Sequence, residues 1–286
     1  MDNENQRSGD SPALSLYDTH THTLHSHDSK CPLDELCETA YARGLRGIAV
    51  TDHADVEYYR TSDVADRLRA SFLDADAHRL SWAGRLRVTR GVEIGEGIWD
   101  TPAVREILSA SDYDQIIGSV HAVRLEGYTK PYSGIDFSLM PEGTRARYLH
   151  QYFVDMREMV ETADMDVLAH VTCPLRYLTG RFGIPVDMSA YDRQIDGILR
   201  VAAERGLALE VNTSCTGTAY DELMPYADIV RRFKAFGGTR FTLGSDCHAS
   251  ARCAAGFDRA VDLMHSLGVT EAVYYENRQP MPYALG

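Results

Sequence analysis

The chain has 286 residues and a formal net charge of −13, with 44% hydrophobic and 25% charged residues. This length suffices for one large α/β domain, and the ordinary composition excludes fibrous and low-complexity proteins. The acidic balance disfavours a general nucleic-acid binder, because such proteins match phosphates with patches of Lys and Arg. An anionic ligand would have to be attracted locally, a role for which bound cations are suited.

Cysteine usage and the N-terminal sequence favour a reduced, cytoplasmic compartment. The chain contains six cysteines but no CxxC pair. No apolar stretch near the N-terminus is typical of a secretion signal or a membrane span. Residues 1–12 are polar and lack periodicity, so we expect a disordered tail followed by a single domain over 13–286.

Strand and helix patterns alternate along the rest of the chain. Apolar, β-branched runs predict seven strands, in chain order at 14–18, 47–52, 87–94, 115–121, 166–171, 207–212 and 241–246. Helical spacing occurs between them at 33–45, 101–110, 147–163, 191–206 and 254–268. Thr101-Pro102 is typical of a helix start, and Gly206 and Gly268 of helix ends. This alternation predicts an α/β fold with a parallel sheet.

The first predicted strand ends in a pair of histidines, His20 and His22. Residues two apart in an extended segment point to the same side, so both imidazoles can reach one ion. The following turn adds His25, His27 and Asp28, of which one or two at most can share a metal. Asp28 also has an alternative interpretation as the cap of the next helix.

Four later strands each end in a histidine or a carboxylate: His53, Glu93, His121 and His170. Each alone is weak evidence, since a single buried His is more often a hydrogen-bonded core residue, and Glu96 competes with Glu93. Their recurrence at successive strand ends favours a barrel, which gathers functional groups on one face.

The last strand adds Asp246 and His248, another pair two apart, after the small residues Gly244 and Ser245. The small side chains let the backbone approach a crowded site. We expect Cys247, between them, to point into packing.

These motifs together resemble the polymerase-and-histidinol-phosphatase (PHP) family of phosphoesterases. The shared segments, in order, are DTHTH, TDH, GVEIG, IIGSVH, VLAH and LGSDCH, and the resemblance extends from residue 14 to the C-terminus. Within the family the chain is most similar to histidinol-phosphate phosphatases, through PYSGIDF, EVNTS and FKAFGGTRFTLGSDCH. The resemblance implies a distorted (β/α)7 barrel with its metal site at the C-terminal ends of the strands.

The resemblance also implies two to three divalent ions, Zn, Mn or Fe, bound by nine side chains. The first ion would be held by His20, His22, Glu93 and Asp246; the second by Glu93, His121 and His170; and the third by Asp28, His53 and His248. Asp28 is preferred to His27 because family members with an HTxxSxDS turn place a ligand there. His25 and His27 then become supporting or merely polar residues.

The implied reaction is hydrolysis of a small phosphate monoester, with histidinol phosphate as the first candidate. Asp246 would orient the nucleophile, and His53 or His248 would assist the leaving alkoxide. The basic residue that similar phosphatases often carry shortly after NTS is absent, which leaves Arg176 as the phosphate-binding candidate. The alternatives are another metabolite phosphate, a cyclic phosphodiester, or a noncatalytic metal-binding module; we expect neither a nucleic-acid nor a membrane partner.

Overall fold

A computed structural model describes residues 16–286, and seven parallel strands form its main sheet. Each strand pairs with its neighbours in chain order. The strands are β1 (Tyr17–Thr21), β2 (Gly47–Val50), β3 (Arg87–Gly95), β4 (Gln115–Ser119), β5 (Val167–Leu168), β6 (Ala208–Asn212) and β7 (Phe241–Gly244). The predicted parallel α/β fold is confirmed. Strand order that follows chain order is the arrangement of a barrel.

The sheet nearly closes where the ends of β1 and β7 meet. The amide of His22 donates to the carbonyl of Cys247 at 3.0 Å, and the amide of Asp246 donates to the carbonyl of His20 at 2.8 Å. These bonds form just beyond Gly244, at the C-terminal ends of both strands. The expected seven-stranded barrel is therefore confirmed, and its closure brings the first and last histidine-containing motifs together.

Eight α-helices surround the strands in the described part of the chain. They are α1 (Leu33–Ala42), α2 (Val56–Tyr59), α3 (Val64–Ser81), α4 (Thr101–Ala110), α5 (Glu142–Thr162), α6 (Asp192–Glu204), α7 (Ala227–Ala235) and α8 (Phe257–Ser266). The Asp100 carboxylate caps α4 by accepting from the amide of Ala103 at 2.9 Å. Gly206 and Gly268 follow α6 and α8 with φ of +67°, which confirms the two predicted helix ends.

The sequence analysis did not predict helices α3 and α7. The buried stripe of α3 includes the small residues Ser71 and Ala75 beside Val64 and Leu68, so its sequence has little apolar periodicity. In α7 the apolar positions fall within nine residues that also hold two arginines and a lysine. Helix α3 is therefore stabilised by packing on the barrel more than by a strong pattern of its own. Helix α7 does have buried residues at helical spacing, Ile229, Val230 and Phe233, so its pattern was overlooked.

Several strands end earlier than predicted, and the site lies where they end. The expected strand at 166–171 is regular only over Val167–Leu168, and His170 has a φ of 23°. The strand expected over 241–246 stops at Gly244, and Asp246 has a φ of 50°. Positive φ values are uncommon for residues other than glycine and occur most often at functional sites. The turns direct these two side chains across the barrel opening.

An antiparallel hairpin that was not predicted covers the opposite end of the barrel. It consists of β8 (Glu271–Glu276) and β9 (Gln279–Ala284). Tyr274 stacks on Tyr17 at the start of β1, with ring centroids 4.0 Å apart. At the hairpin turn, the amide of Asn277 donates to the Asp114 carboxylate at 2.9 Å. The hairpin thus shields the beginnings of the strands from solvent.

The predicted tail over 1–12 and the first two residues of the predicted strand at 14–18 lie outside the described residues. Among the helices of residues 16–286, none is long and apolar enough to cross a membrane.

Candidate metal centre

Two histidines and two carboxylates from three strands form the first group at the C-terminal end of the barrel. His20 and His22 approach with their Nε2 atoms 3.1 Å apart. The Glu93 Oε2 atom lies 3.3 Å from His20 Nε2 and 3.5 Å from His22 Nε2. Asp246 Oδ1 lies 3.2 Å from His22 Nε2. Buried imidazoles and carboxylates at such short separations are a suitable donor set for a divalent transition metal.

The second group lies on the other side of the same Glu93 carboxylate. Glu93 Oε1 is 3.0 Å from His170 Nε2 and 3.2 Å from His121 Nε2. Glu93 Oε2 also lies 2.9 Å from His53 Nδ1, so the two oxygens of Glu93 face different sets of histidines, and the side chain is fully buried. This is the arrangement expected of a carboxylate that bridges two ions.

A third group lies toward solvent from the first. Asp28 places Oδ2 3.2 Å from His248 Nε2 and Oδ1 3.6 Å from His53 Nε2. The interpretation of Asp28 as a helix cap is wrong, because α1 has Pro32 at its N-cap and no side-chain capping bond. Its role as a ligand stays a prediction.

The neighbouring charges in these groups are strongly coupled. Burial opposes charge on His20, but the carboxylates of Glu210, Glu93 and Asp246 raise its pKa well above the ordinary value. Burial likewise opposes charge on Glu93, yet His20, His121 and His53 hold its pKa well below the usual range. The pKa of His22 falls to about 3 through burial and the nearby His248 and His53. Positive charge between these side chains is therefore favoured, and either protons or divalent ions can supply it.

Glu210 supports two of the candidate ligands and was missed by the sequence analysis. Its Oε1 lies 2.6 Å from His20 Nδ1, and its Oε2 accepts from the amide of His170 at 2.9 Å. Asn212, two residues later, donates to the same carboxylate at 3.2 Å and to Asp246 at 3.4 Å. A carboxylate bonded to the outer nitrogen of a ligating imidazole fixes its tautomer and orientation. The signal was present, since Glu210 interrupts the apolar run LALEVN, where an isolated charge is rarely buried.

A second supporting carboxylate, Asp52, was also missed. It accepts from Thr23, Ser26 and Ser71 at 2.6–2.7 Å. Ser26 in turn lies 3.0 Å from His22 Nδ1. The polar residues of the turn after β1 therefore hold the backbone and the His22 ring in place.

Asp55 and Glu96 surround His121. Asp55 Oδ1 lies 3.1 Å from His121 Nδ1. Glu96 accepts from the amides of His121 and Ala122, and burial raises its pKa to about 8. Glu96 is thus a supporting residue, whereas Glu93 projects into the histidine cluster.

The remaining candidates from the sequence lie outside the three groups. His25 binds Asp74 of α3 at 3.1 Å and faces away from the cluster. The His27 side chain is 52% exposed, with Nδ1 3.9 Å from Asp55. Cys247 is buried within the hydrophobic core, in agreement with the expected packing role.

A cavity of about 240 Å³ opens over the cluster. Its lining includes Asp28, His53, His121, His170, Asp246 and His248 together with Arg176 and three tyrosines, Tyr58, Tyr132 and Tyr177. Arg176 lies in a helical turn after β5, and no carboxylate of the described residues approaches its guanidinium within 4 Å. The structure thus brings Arg176 to the same opening as the candidate metal ligands.

An arginine from another part of the chain contacts the loop after β6. Arg252, from the segment between β7 and α8, donates to the carbonyls of Thr216 at 2.7 Å and Ser214 at 3.3 Å. Its guanidinium therefore binds backbone and does not line the cavity.

The fold and the site define a (β/α)7 barrel with clusters of histidine and carboxylate side chains at the carboxyl ends of its strands. The PHP domain model matches residues 18–214, about two thirds of the chain. The chain belongs to the PHP domain family.

Two curated relatives match nearly the whole chain. A probable histidinol-phosphatase of Clostridium acetobutylicum is 27% identical over 273 residues, which cover 94% of this chain and 100% of the relative. The histidinol-phosphatase of Lactococcus lactis is 27% identical over 257 residues, which cover 89% of this chain and 92% of the relative.

A solved structure confirms the fold. The crystal structure of histidinol phosphate phosphatase from Lactococcus lactis, complexed with Zn, L-histidinol and phosphate, superposes with a TM-score of 0.80. The identity is 22%, and the match covers 94% of this chain and 99% of that chain.

Proposed function

We propose that the protein is a metal-dependent phosphatase that hydrolyses histidinol phosphate to histidinol and phosphate. The observation that carries the proposal is Glu93, whose two oxygens face separate sets of histidines below a cavity lined by Arg176. The names of the two curated relatives support this substrate.

The donor atoms of the site fit divalent ions. His53 Nδ1 lies 2.9 Å from Glu93 Oε2, and His248 Nε2 lies 3.2 Å from Asp28 Oδ2, yet none of these buried atoms makes a contact with hydrogen-bond geometry among the described residues. Unpartnered buried polar atoms are costly unless a further group binds them. The proposed ligands are His20, His22, Glu93 and Asp246 for one ion, Glu93, His121 and His170 for a second, and Asp28, His53 and His248 for a third.

Divalent ions in these groups would supply charge to stabilise the phosphoryl oxygens and would acidify a bound water. Two or three ions are proposed, and the mixed imidazole and carboxylate donors suit Zn, Mn or Fe. Glu210 and Asp52 hold the imidazoles of the first group in their binding orientation through the contacts described above.

The remaining roles follow from the position of each side chain around the cavity. Asp246 lies at the junction of the first group and the cavity, where its carboxylate can orient the attacking water and accept its proton. His53 and His248 line the same opening, where an ion held by these two side chains would stabilise negative charge on the departing alkoxide. Arg176 can donate two parallel hydrogen bonds to the phosphate.

An aromatic wall provides a complementary surface for a flat ring on the leaving group. Tyr132 and Tyr177 line the cavity with their ring centroids 5.2 Å apart. The Tyr132 ring also meets His121 edge-on at 6.0 Å, and its buried hydroxyl has no partner among the described residues. An imidazole is a ring that can stack on this wall and bond to the hydroxyl.

The test is phosphate release from a panel of esters by metal-loaded and chelator-treated protein. The panel contains histidinol phosphate, other metabolite monoesters and cyclic phosphodiesters. The proposal expects the highest kcat/KM for histidinol phosphate, loss of turnover on chelation, and recovery with Mn, Zn or Fe. Turnover of another ester alone would refute the substrate but retain the chemistry, and no turnover of any ester would indicate a noncatalytic metal-binding module.

A further inference from the structure

A second, larger cavity lies at the opposite end of the barrel from the candidate metal centre. Its volume is about 1080 Å³. It is bounded by the connection from α1 to β2, the connection from α3 to β3, and the turn between β8 and β9. Tyr17 at the start of β1 forms part of its wall. Small-molecule sites typically occupy about 300–1,000 Å³, so this cavity can admit a ligand of metabolite size.

Four arginines line this cavity: Arg46, Arg79, Arg85 and Arg87. Among residues 16–286, no carboxylate lies within 4 Å of the guanidinium of Arg46 or Arg85. Arg79 is paired with Asp76 at 2.8 Å, and Arg87 is paired with Glu276. The cavity thus presents two cations without carboxylate partners.

The acidic residues of the cavity do not neutralise these two arginines. Its two carboxylates are Asp114 and Glu276. Asp114 is bound by Arg90 at 3.1 Å, and Glu276 is bound by Arg87. In a chain with a net charge of −13, the cavity is therefore a local concentration of positive charge.

Two residues that line the cavity, Tyr41 and Arg85, pack against Trp82. The Arg85 guanidinium lies over the ring of Trp82, 4.1 Å from its centroid, and one of its nitrogens donates to the Ser81 carbonyl at 2.9 Å, so two contacts hold it in a defined orientation. Tyr41, which is 43% exposed, packs against Trp82 with the ring centroids 5.8 Å apart. An oriented guanidinium is suited to bidentate binding of a phosphate, and the exposed Tyr41 ring offers a surface for a planar group.

We propose that this cavity binds a small phosphorylated molecule through Arg46 and Arg85, at a site separate from the metal centre. The interaction is noncatalytic, because the cavity contains neither a histidine nor an unpaired carboxylate among its described residues. The proposal is independent of the substrate hydrolysed at the other end of the barrel.

The test is calorimetric titration of inorganic phosphate, and separately of ADP, into the metal-loaded, full-length protein. Two phosphates per chain are expected, one at each end of the barrel. Arg46→Ser/Arg85→Ser should weaken one of these binding events at least about tenfold, or about 1.4 kcal/mol, because both charge-assisted bonds to the phosphate are removed. Arg176→Ala should weaken the other and leave the first unchanged. Tighter binding of ADP than of phosphate would assign the Tyr41 wall to a planar base, and equal affinity would assign the site to the phosphate alone.

The matched control is Arg69→Ser/Arg193→Ser, which removes the same charge from exposed positions outside the cavity. This control should leave both binding events unchanged. A single phosphate per wild-type chain, or equal weakening by both double variants, would overturn the proposal. The substituted residues Arg46, Arg85, Arg69 and Arg193 are all exposed, so each variant should fold. Thermal unfolding of each variant checks this.

Discussion

The two ends of the barrel use the same strands for opposite purposes. At the N-terminal end, Tyr17 packs on Tyr274 of the hairpin, and Arg87 and Arg278 pair with carboxylates near solvent. At the C-terminal end, His20 and Glu93 are completely buried in a cluster of like and unlike charges. At the first end Arg87–Glu276 lies near solvent and Arg90–Asp114 is a single, more buried pair. The second end encloses several charged side chains in one cluster.

The buried charges at the C-terminal end lower the stability of the fold relative to an apolar core, whereas the ion pairs near solvent at the other end do not. Burying charged groups is unfavourable unless they are paired, and even paired groups seldom exceed the stability of an apolar core. Exposed ion pairs such as Arg87–Glu276 cost little and contribute about 0–1 kcal/mol. A fold that retains the expensive arrangement at one end only indicates that the arrangement serves binding or chemistry.

Glu93→Gln is expected to have the largest effect of all the substitutions at the C-terminal end of the barrel. The change removes the charge shared by both histidine pairs, so two proposed ions lose a ligand at once. We expect loss of bound metal by elemental analysis and a fall in phosphatase activity to background. The control is Glu126→Gln at an exposed position. Full metal content together with wild-type kcat/KM would exclude Glu93 as the bridge.

Asp28→Ala and His27→Ala compare two neighbours at the outer edge of the same end. Asp28 contacts both His53 and His248, whereas His27 is half exposed. We expect Asp28→Ala to remove most of the activity and one equivalent of metal, and His27→Ala to retain much of both. The reverse result would transfer the third-metal assignment to His27.

Arg176→Ala should lower kcat/KM by about one to two decades. The change removes a charge-assisted, bidentate contact worth about 1.5–3 kcal/mol to the phosphate. Lys should recover only part, because it lacks the planar fork. Arg181→Ala, in the same helical turn but outside the cavity lining, is the control. Equal rates for wild type and Arg176→Ala would show that the phosphate is held without this side chain.

Glu210→Gln tests whether the carboxylate that contacts His20 and His170 supports metal binding. Loss of the carboxylate that orients His20 and His170 should weaken metal binding about 10–100-fold, the usual effect of such outer partners. Competition with a chelator measures the affinity, and kcat at saturating metal should recover substantially. A lowered kcat with unchanged metal affinity would contradict a positioning role.

The sequence predicted the polar residues that follow the strands better than it predicted the structure around them. Histidines two apart, and a histidine or carboxylate at the end of most of the apolar runs, are local signals, so the members of the cluster could be anticipated residue by residue. Glu210 and Asp52 were missed because their roles depend on partners far along the chain, such as His20 at 190 positions from Glu210. Helix α3 and the hairpin were missed because tertiary packing, not periodicity, stabilises them.

The smallest effect on activity is expected from Gly47→Ala at the hairpin-covered end. A Cβ at Gly47 would lie 2.7 Å from the carbonyl oxygen of Arg87 and 2.7 Å from the ring of Tyr17. Such overpacking should lower the free energy of unfolding by about 1–3 kcal/mol. Because no proposed ligand touches this position, kcat/KM per folded molecule should remain that of wild type.

Gly244→Ala is the matched change at the other end. Its Cβ would meet Glu210 and lie 2.7 Å from the Cβ of His20, so the same added methyl group should reduce metal affinity as well as stability. Gly143→Ala, at an open position in α5, controls for the substitution itself. Denaturant unfolding and steady-state kinetics are measured on all three variants. A folded Gly47→Ala variant with lowered kcat/KM would show that the two ends of the barrel are mechanically coupled. The N-terminal end could then no longer be described as separate from the end that carries the chemistry.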